Sequence, residues 1–317
     1  MKKLTIVFPV YNDQPLLDRA LEALSNQTCK DFSVILVNDK SPTNYDNLLS
    51  KWRNHLDITL IENEHNLGAM NNIWKSIQLE VSTPYIMSHH SDDFLKINYV
   101  EKVLAVLDKN EKISFVVTGA EWITKETSYR QAEIKNNTVS TFDAAEFTKN
   151  ILEFAPYIFG SVVYREADLV NDWKFDVFYT YCDRYFLGKI LQKNQTRGAF
   201  IFGEGILERD HSLDKNDNRA THLNEDHMIN LMIFYRNLLL IKYPRTQVDK
   251  IITNNTIYYL GNLNKRSSFL TFYKKQKEHN LIKLRSIQLK GLLALTGLMV
   301  SYKKKLRLHS FLKRIKN

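Results

Sequence analysis

Three short polar clusters follow apolar runs early in the chain: Pro9-Val10-Tyr11-Asn12, Val37-Asn38-Asp39-Lys40-Ser41 and His89-His90-Ser91-Asp92-Asp93. Together they carry the groups that a phosphorylated, base-bearing ligand needs. An aspartate such as Asp39 can accept a hydrogen bond from the ring N–H of a base, and Tyr11 offers an aromatic face for stacking. The adjacent carboxylates Asp92 and Asp93 attract a hard divalent cation, and Mg2+ or Mn2+ can in turn bridge a diphosphate. One cluster alone is weak, because Asn-Asp-Lys-Ser is common in turns and paired aspartates after a strand often cap helices. Three in order, at compatible spacing, are more specific.

The elements that must position these clusters can be read from apolar patterning. Residues 4–10 (LTIVFPV), 32–37 (FSVILV), 58–61 (ITLI), 84–88 and 113–119 read as strands. Leu17, Leu21 and Leu24 share one face of a helix after the first strand, and helices are expected over 68–80 and about 97–108. Strands alternating with helices predict an α/β fold with a mostly parallel sheet covered on both faces. Such sheets bind ligands beyond the carboxyl ends of their strands, where the polar clusters fall. From 120 to 215 the pattern is irregular and rich in aromatics, and from 225 onward it is mostly helical. A soft boundary near 220 divides an expected domain over 1–220 from a helical region over 221–317.

Composition sets outer limits. With 44% hydrophobic and 25% charged residues the chain is globular rather than disordered. Two cysteines, Cys29 and Cys182, exclude a disulfide framework and point to a reducing compartment. The opening MKKLTIVFPVYN is basic and then apolar, but Pro9 and the lack of a small-residue cleavage site favour a first strand over a signal peptide.

The net charge of +9 is unevenly placed, since no acidic residue follows Glu278. Ten basic residues lie beyond it, among them Lys303, Lys304, Lys305 and Arg307, which leaves 34 basic against 35 acidic residues before it. Leu292, Leu295, Leu298, Met299, Tyr302 and Leu306 add an apolar stripe at roughly helical spacing. The run is too short to span a bilayer, which takes ~20 apolar residues. A basic amphipathic helix lying on an anionic membrane is expected, with a helix packed on the domain as the alternative.

Residues 1–215 resemble the family-2 glycosyltransferases, inverting enzymes with the GT-A fold, of the kind that act in bacterial surface-polysaccharide synthesis. The resemblance is carried by Pro9, Tyr11 and Asn12 as a P-x-Y-N strand ending and by Val37-Asn38-Asp39-Lys40-Ser41 as V-x-D-x-S. Asn66, Gly68 and Asn72 fit N-x-G-x-x-x-N, and the stretch ending in Ser91-Asp92-Asp93 fits D-x-D-D. Further on, Phe159-Gly160-Ser161-Val162-Val163-Tyr164-Arg165 resembles the strand into the acceptor half, and Tyr181-Cys182-Asp183 the E-D pair. Arg209-Asp210-His211-Ser212 resembles the R-x-H loop.

What the resemblance implies is a GT-A nucleotide-sugar-binding and catalytic domain with Asp183 as the general base. Pro9, Tyr11, Asn12, Asp39, Asn66, Gly68, Asn72, Ser91 and Asp92 would bind the nucleotide. A Mn2+ or Mg2+ ion would be held by Asp92 and Asp93 with His90 or His211, and Arg209 and His211 would close over the diphosphate. Uracil and thymine present the same ring N–H to Asp39, so the donor is expected to be a UDP- or dTDP-sugar and the acceptor a glycan or lipid-linked sugar.

Two positions depart from the pattern. His90 stands where the first aspartate of D-x-D is usual, and Cys182 where glutamate usually precedes the base. Tyr179, Tyr181 and Tyr185 would desolvate Asp183 and raise its basicity, while Trp122 and Trp173 could either stack on sugar faces or fill the core. His90 keeps a catalytically silent binding module in play. A nucleic-acid-binding reading is disfavoured by the near-neutral body and the lack of a recognition motif. The expected location is cytoplasmic, peripheral on the inner face of the membrane.

Overall fold

The computed structural model describes residues 1–119, 121–123, 128–130, 138–153, 159–178, 181–202, 207–210, 225–260, 278, 279 and 281. Strands are β1 (Leu4–Val10), β2 (Phe32–Asn38), β3 (Ile58–Glu62), β4 (Tyr85–Ser88), β5 (Asp93–Leu95) and β6 (Ile113–Thr118), then β7 (Glu121–Ile123), β8 (Ser128–Arg130), β9 (Thr138–Phe142), β10 (Val163–Arg165), β11 (Arg197–Phe202) and β12 (Leu207–Asp210). Helices are α1 (Gln14–Ser25), α2 (Asp46–Trp52), α3 (Ala69–Ile77), α4 (Tyr99–Lys109), α5 (Ala144–Glu153), α6 (Phe175–Phe178), α7 (Cys182–Asn194), α8 (Glu225–Leu240) and α9 (Arg245–Leu260).

The main sheet has the order β3-β2-β1-β4-β10-β6-β11-β9. It is mostly parallel, as expected. The antiparallel members are β10, inserted between β4 and β6, and β9 at the edge beside β11. A second, four-stranded sheet has the order β5-β12-β7-β8. The continuous apolar runs of β1 and β6 follow from burial on both faces.

On one face Leu4, Ile6, Phe8, Val34, Leu36, Met87 and Val116 join a single cluster with Leu17, Leu21 and Leu24 of α1, Leu49 and Trp52 of α2, and Val100, Val103 and Leu107 of α4. The α1 spacing is the helical stripe visible in the sequence. On the other face α3 lies against β1 and β4. There Phe115 of β6 meets Phe147 of α5 and Tyr164 of β10, and Tyr164 meets Phe186 of α7.

Contacts divide the chain into two compact units, Met1–Asp176 with Thr180–Asn218, and Val177–Tyr179 with Arg219–Asn317. In the second, α8 and α9 pack together, burying Leu231, Met232, Tyr235, Val248 and Ile252. No helix among the described residues is long and apolar enough to cross a membrane. The basic stripe beyond residue 281 lies outside the described residues.

Candidate active site

Parallel pairing of β1 with β2 and β4 brings the three polar clusters to one edge of the main sheet. Val10 is in register with Asn38, and Val7 with Ser88. The clusters are then wired together by their own side chains. Asn12 has φ of 56°, a left-handed conformation that asparagine tolerates better than most residues. Its Oδ1 accepts hydrogen bonds from Ser41 Oγ at 2.8 Å and Thr43 Oγ1 at 2.7 Å. Tyr11 is 50% exposed beside it, so its ring is available to a ligand.

Asp39 is buried. Its Oδ1 accepts from Asn63 Nδ2 at 2.9 Å and from the Leu67 backbone N–H at 2.7 Å, and its Oδ2 accepts from the Gly68 N–H at 2.9 Å. Asn66 donates to the Asp39 carbonyl and accepts from the Gly68 N–H. Gly68 has φ of 79° and ψ of 155°, a conformation essentially limited to glycine. Asn72, buried on α3, donates to the Val37 carbonyl and accepts from Asn63. Asn66, Gly68 and Asn72 therefore build the loop around Asp39. Asn63 and Lys75 belong to the same network, with Lys75 Nζ donating to Asn63 Oδ1 at 2.7 Å. The sequence reading missed both, although Asn63 directly follows a strand just as Asp39 does.

In the third cluster, ligand atoms of His90, Asp92 and Asp93 lie within 4.8 Å of one another. Asp93 is fully buried at the start of β5, with His90 Nδ1 3.8 Å from its Oδ2. One imidazole nitrogen with two carboxylates suits Mn2+ well and Mg2+ less well, because Mg2+ favours oxygen. The donor set therefore fits a divalent cation.

Ser91 hydrogen-bonds to the carboxylate of Asp13, which burial pushes above its usual range, and Tyr45 donates to the same group. Pairing of β12 with β5 sets the backbone of Arg209 opposite Asp93, and pairing with β7 sets it opposite Trp122. His211 and Tyr179 lie outside the described residues.

His89 turns inward. It is 1% exposed, its Nδ1 lies 2.8 Å from the Gly160 carbonyl, and burial pushes its pKa down to about 4. The ring is therefore neutral with its proton on Nδ1, since a carbonyl can only accept.

Asp183 is the second residue of α7, inside the first turn rather than at the cap, where a carboxylate faces the positive end of the helix. Tyr164 is its unforeseen neighbour. Burial, and after it the Asp183 carboxylate, drives the Tyr164 phenol well above its usual range. Burial and the Asp93 carboxylate do the same for Tyr99. Of the tyrosines expected around the base, Tyr185 is committed to Asp172 at 2.7 Å, and Tyr181 carries the Arg184 guanidinium on its ring. Cys182 is a buried thiol, pushed upward by burial and by Asp183. Trp173 fills the core. It stacks on Trp74 of α3 at 5.1 Å, and both meet Phe186 of α7 edge-on.

Residues 5–169 match the family model described as Glycosyl transferase family 2. The chain belongs to this family. Its fold is the α/β GT-A fold. An uncharacterised glycosyltransferase of Haemophilus influenzae is 27% identical over 194 residues, which are 57% of this chain and 57% of the relative. The poly(ribitol-phosphate) beta-glucosyltransferase of Bacillus spizizenii is 30% identical over 96 residues, 29% of this chain and 15% of that protein. The chain thus spans little more than half the length of the first of these curated relatives and far less of the second. Among solved structures, S. aureus TarS 1-349 in complex with UDP-GlcNAc superposes with a TM-score of 0.61 at 14% identity, covering 90% of this chain and 82% of that one. At that identity the likeness is one of fold.

Proposed function

We propose that this glycosyltransferase moves a sugar, with inversion, from a UDP- or dTDP-sugar to a hydroxyl of a glycan or lipid-linked acceptor in cell-surface polysaccharide synthesis. The observation that carries the reading is the gathering of Tyr11, Asn12, Asp39 and the His90–Asp92–Asp93 cluster at one sheet edge, with the Arg209 strand paired alongside. The named relative that acts on poly(ribitol-phosphate) and the fold neighbour bound to UDP-GlcNAc support the choice of donor and acceptor class.

In this reading Asp39 accepts the ring N–H of the base with the lone-pair direction left by Asn63, Leu67 and Gly68. Tyr11 stacks on the base, and Pro9, Asn12, Asn66, Gly68, Asn72, Ser91 and Asp92 shape the nucleotide site. Asp183 takes the proton from the acceptor hydroxyl as its oxygen attacks the anomeric carbon. Proton removal is late in such a reaction, so position contributes more than basicity. When bound at His90, Asp92 and Asp93, with His211 completing the set, a Mn2+ or Mg2+ ion supplies positive charge against the diphosphate. Arg209 and His211 steady the departing nucleoside diphosphate. The basic stripe after Glu278 holds the protein to the inner face of the cytoplasmic membrane.

A thermal-shift screen of UDP, dTDP and other nucleoside diphosphates, with and without Mn2+, tests the site. A ligand at 100 times its Kd stabilises by ~2.7 kcal/mol, and the largest shift is expected for UDP or dTDP with Mn2+. Asp183→Asn is expected to keep that shift while transfer falls about 10²–10⁴-fold. A variant that keeps the shift and also transfers at the wild-type rate would remove Asp183 from the role of base.

A further inference from the structure

Gly160 sits in a single turn of 3-10 helix, Phe159–Ser161, that precedes β10. A Cβ built on it would meet Asp93 Oδ2 at 2.6 Å and the His90 ring at 3.2 and 3.3 Å. The first distance is shorter than real Cβ contacts essentially ever show, and the obstacle, although the end of a side chain, is a short and fully buried carboxylate with little room to move. The bare Cα of Gly160 therefore forms the wall against which His90 and Asp93 stand.

Buried side chains fix this turn from three elements. His89, at the end of β4, donates through Nδ1 to the Gly160 carbonyl at 2.8 Å. Tyr99 of α4 donates to the Ser161 carbonyl at 2.6 Å. Ser161 Oγ lies 3.4 Å from the Thr118 N–H and 3.3 Å from its carbonyl, at the end of β6. His89 directly precedes His90, so one short segment supplies both a ligand candidate and the tether of the wall behind it.

We propose that the 159–161 turn is the back wall of the cation site, with Gly160 as a positioning residue that sets the approach of His90 to Asp93 and His89 as the strut that holds it there. The proposal rests on the reading of His90, Asp92 and Asp93 as a cation site. It assigns no contact with the ion to Gly160 or His89. Their effect is on spacing, and a cation site is sensitive to displacements of a few tenths of an ångström in its donors.

Mn2+ titration of the full chain, followed by the electron paramagnetic resonance of the free ion, tests this without any transfer assay. Gly160→Ala is expected to weaken Mn2+ binding at least tenfold. Gly119→Ala adds the same methyl where the nearest atom, Phe200 Cζ, is at 3.9 Å, and is expected to change nothing. At position 89, leucine removes the donor and asparagine places an amide nitrogen close to where Nδ1 stood. His89→Leu is expected to lose Mn2+ affinity at least tenfold and His89→Asn to stay within about threefold of the wild type. Cooperative thermal melting establishes that each variant is folded, and the position-89 pair stands alone if Gly160→Ala does not fold. Folded Gly160→Ala or His89→Leu protein with wild-type Mn2+ affinity would overturn the positioning role and leave the cation site intact. A wild-type chain that takes up no Mn2+ would overturn both.

Discussion

A carboxylate offers about four lone-pair directions, and at Asp39 the chain's own donors take three of them. The side chain is thus both the organiser of the 63–68 loop and the proposed acceptor for a base. Asp39→Asn separates these roles poorly, which makes its outcome predictable. One of its two oxygens becomes an NH2 facing a backbone N–H of Leu67 or Gly68, or the Asn63 amide must turn away. An unmatched buried donor costs about 1–3 kcal/mol, so the unfolding midpoint in urea is expected to fall and nucleotide affinity to fall with it. An unchanged midpoint would mean that the loop is held elsewhere. Polar residues after β1, β2 and β4 were legible in the sequence because each ends an unmistakable apolar run. Asn63 ends such a run too, but it is flanked by Glu62 and Glu64 rather than by a recognisable motif. Tyr164 was illegible for another reason: its nearness to Asp183 depends on β10 entering the sheet antiparallel, which no local pattern announces.

Helices α3 and α7 carry the two halves of the proposed site, Asn72 with Lys75 on one and Asp183 on the other. Trp74, Trp173 and Phe186 join them on a single face of the sheet. Trp173→Ala is expected to cost about 3–5 kcal/mol, as large aromatic truncations in cores do, and to lower kcat more than donor affinity because Asp183 loses its reference to α3. Calorimetry with initial-rate kinetics checks both, and a stable variant with unchanged kcat would show that the aromatic trio sets neither. On the opposite face, two aspartates tie helices in place. Burial alone would raise the carboxyl of Asp18, but Lys51 and the Trp52 indole N–H hold it below the usual range, and Lys3 with Tyr85 does the same for Asp108. Both folded values are depressed, so their stabilisation is complete above the unfolded value near 4 and disappears as pH falls through the folded values. Each side chain is more than a third exposed, so solvent screens both clamps and each contributes only a little. The double variant Asp18→Asn, Asp108→Asn is expected to lag the wild type in urea by a constant margin above about pH 5 and to close on it below about pH 4. A margin that persisted into acid would assign it to packing. The longer elements α1, α4, β1, β2 and β6 were plain from periodicity. The three-residue strands β5 and β10 were not, since so short a segment shows no period, and β5 begins on a buried charge.

Over the whole molecule the decisive asymmetry is electrostatic: residues up to Glu278 carry 34 basic against 35 acidic side chains, and everything after it is cationic or neutral. A glycosyltransferase whose acceptor is lipid-linked gains from being held at the bilayer, since two dimensions of search replace three. Each Lys or Arg near an anionic surface contributes about 1 kcal/mol. Replacing Lys303, Lys304, Lys305 and Arg307 by glutamine in the full chain is therefore expected to weaken binding to phosphatidylglycerol vesicles by up to about a thousandfold. Binding to neutral phosphatidylcholine vesicles should be weak for both proteins and little changed. Raising the salt from low to near molar should erase most of the difference, because the Debye length shrinks to ~3 Å. The apolar stripe of Leu295, Leu298, Met299, Tyr302 and Leu306 is expected to make a separate contribution that salt does not screen. Residual binding of the glutamine variant at high salt should then disappear when Leu298 and Met299 also become serine. Vesicle sedimentation reads each of these comparisons. Equal sedimentation of wild type and glutamine variant with anionic vesicles at low salt would place the tail against protein rather than lipid, whatever the fate of the sugar-transfer site.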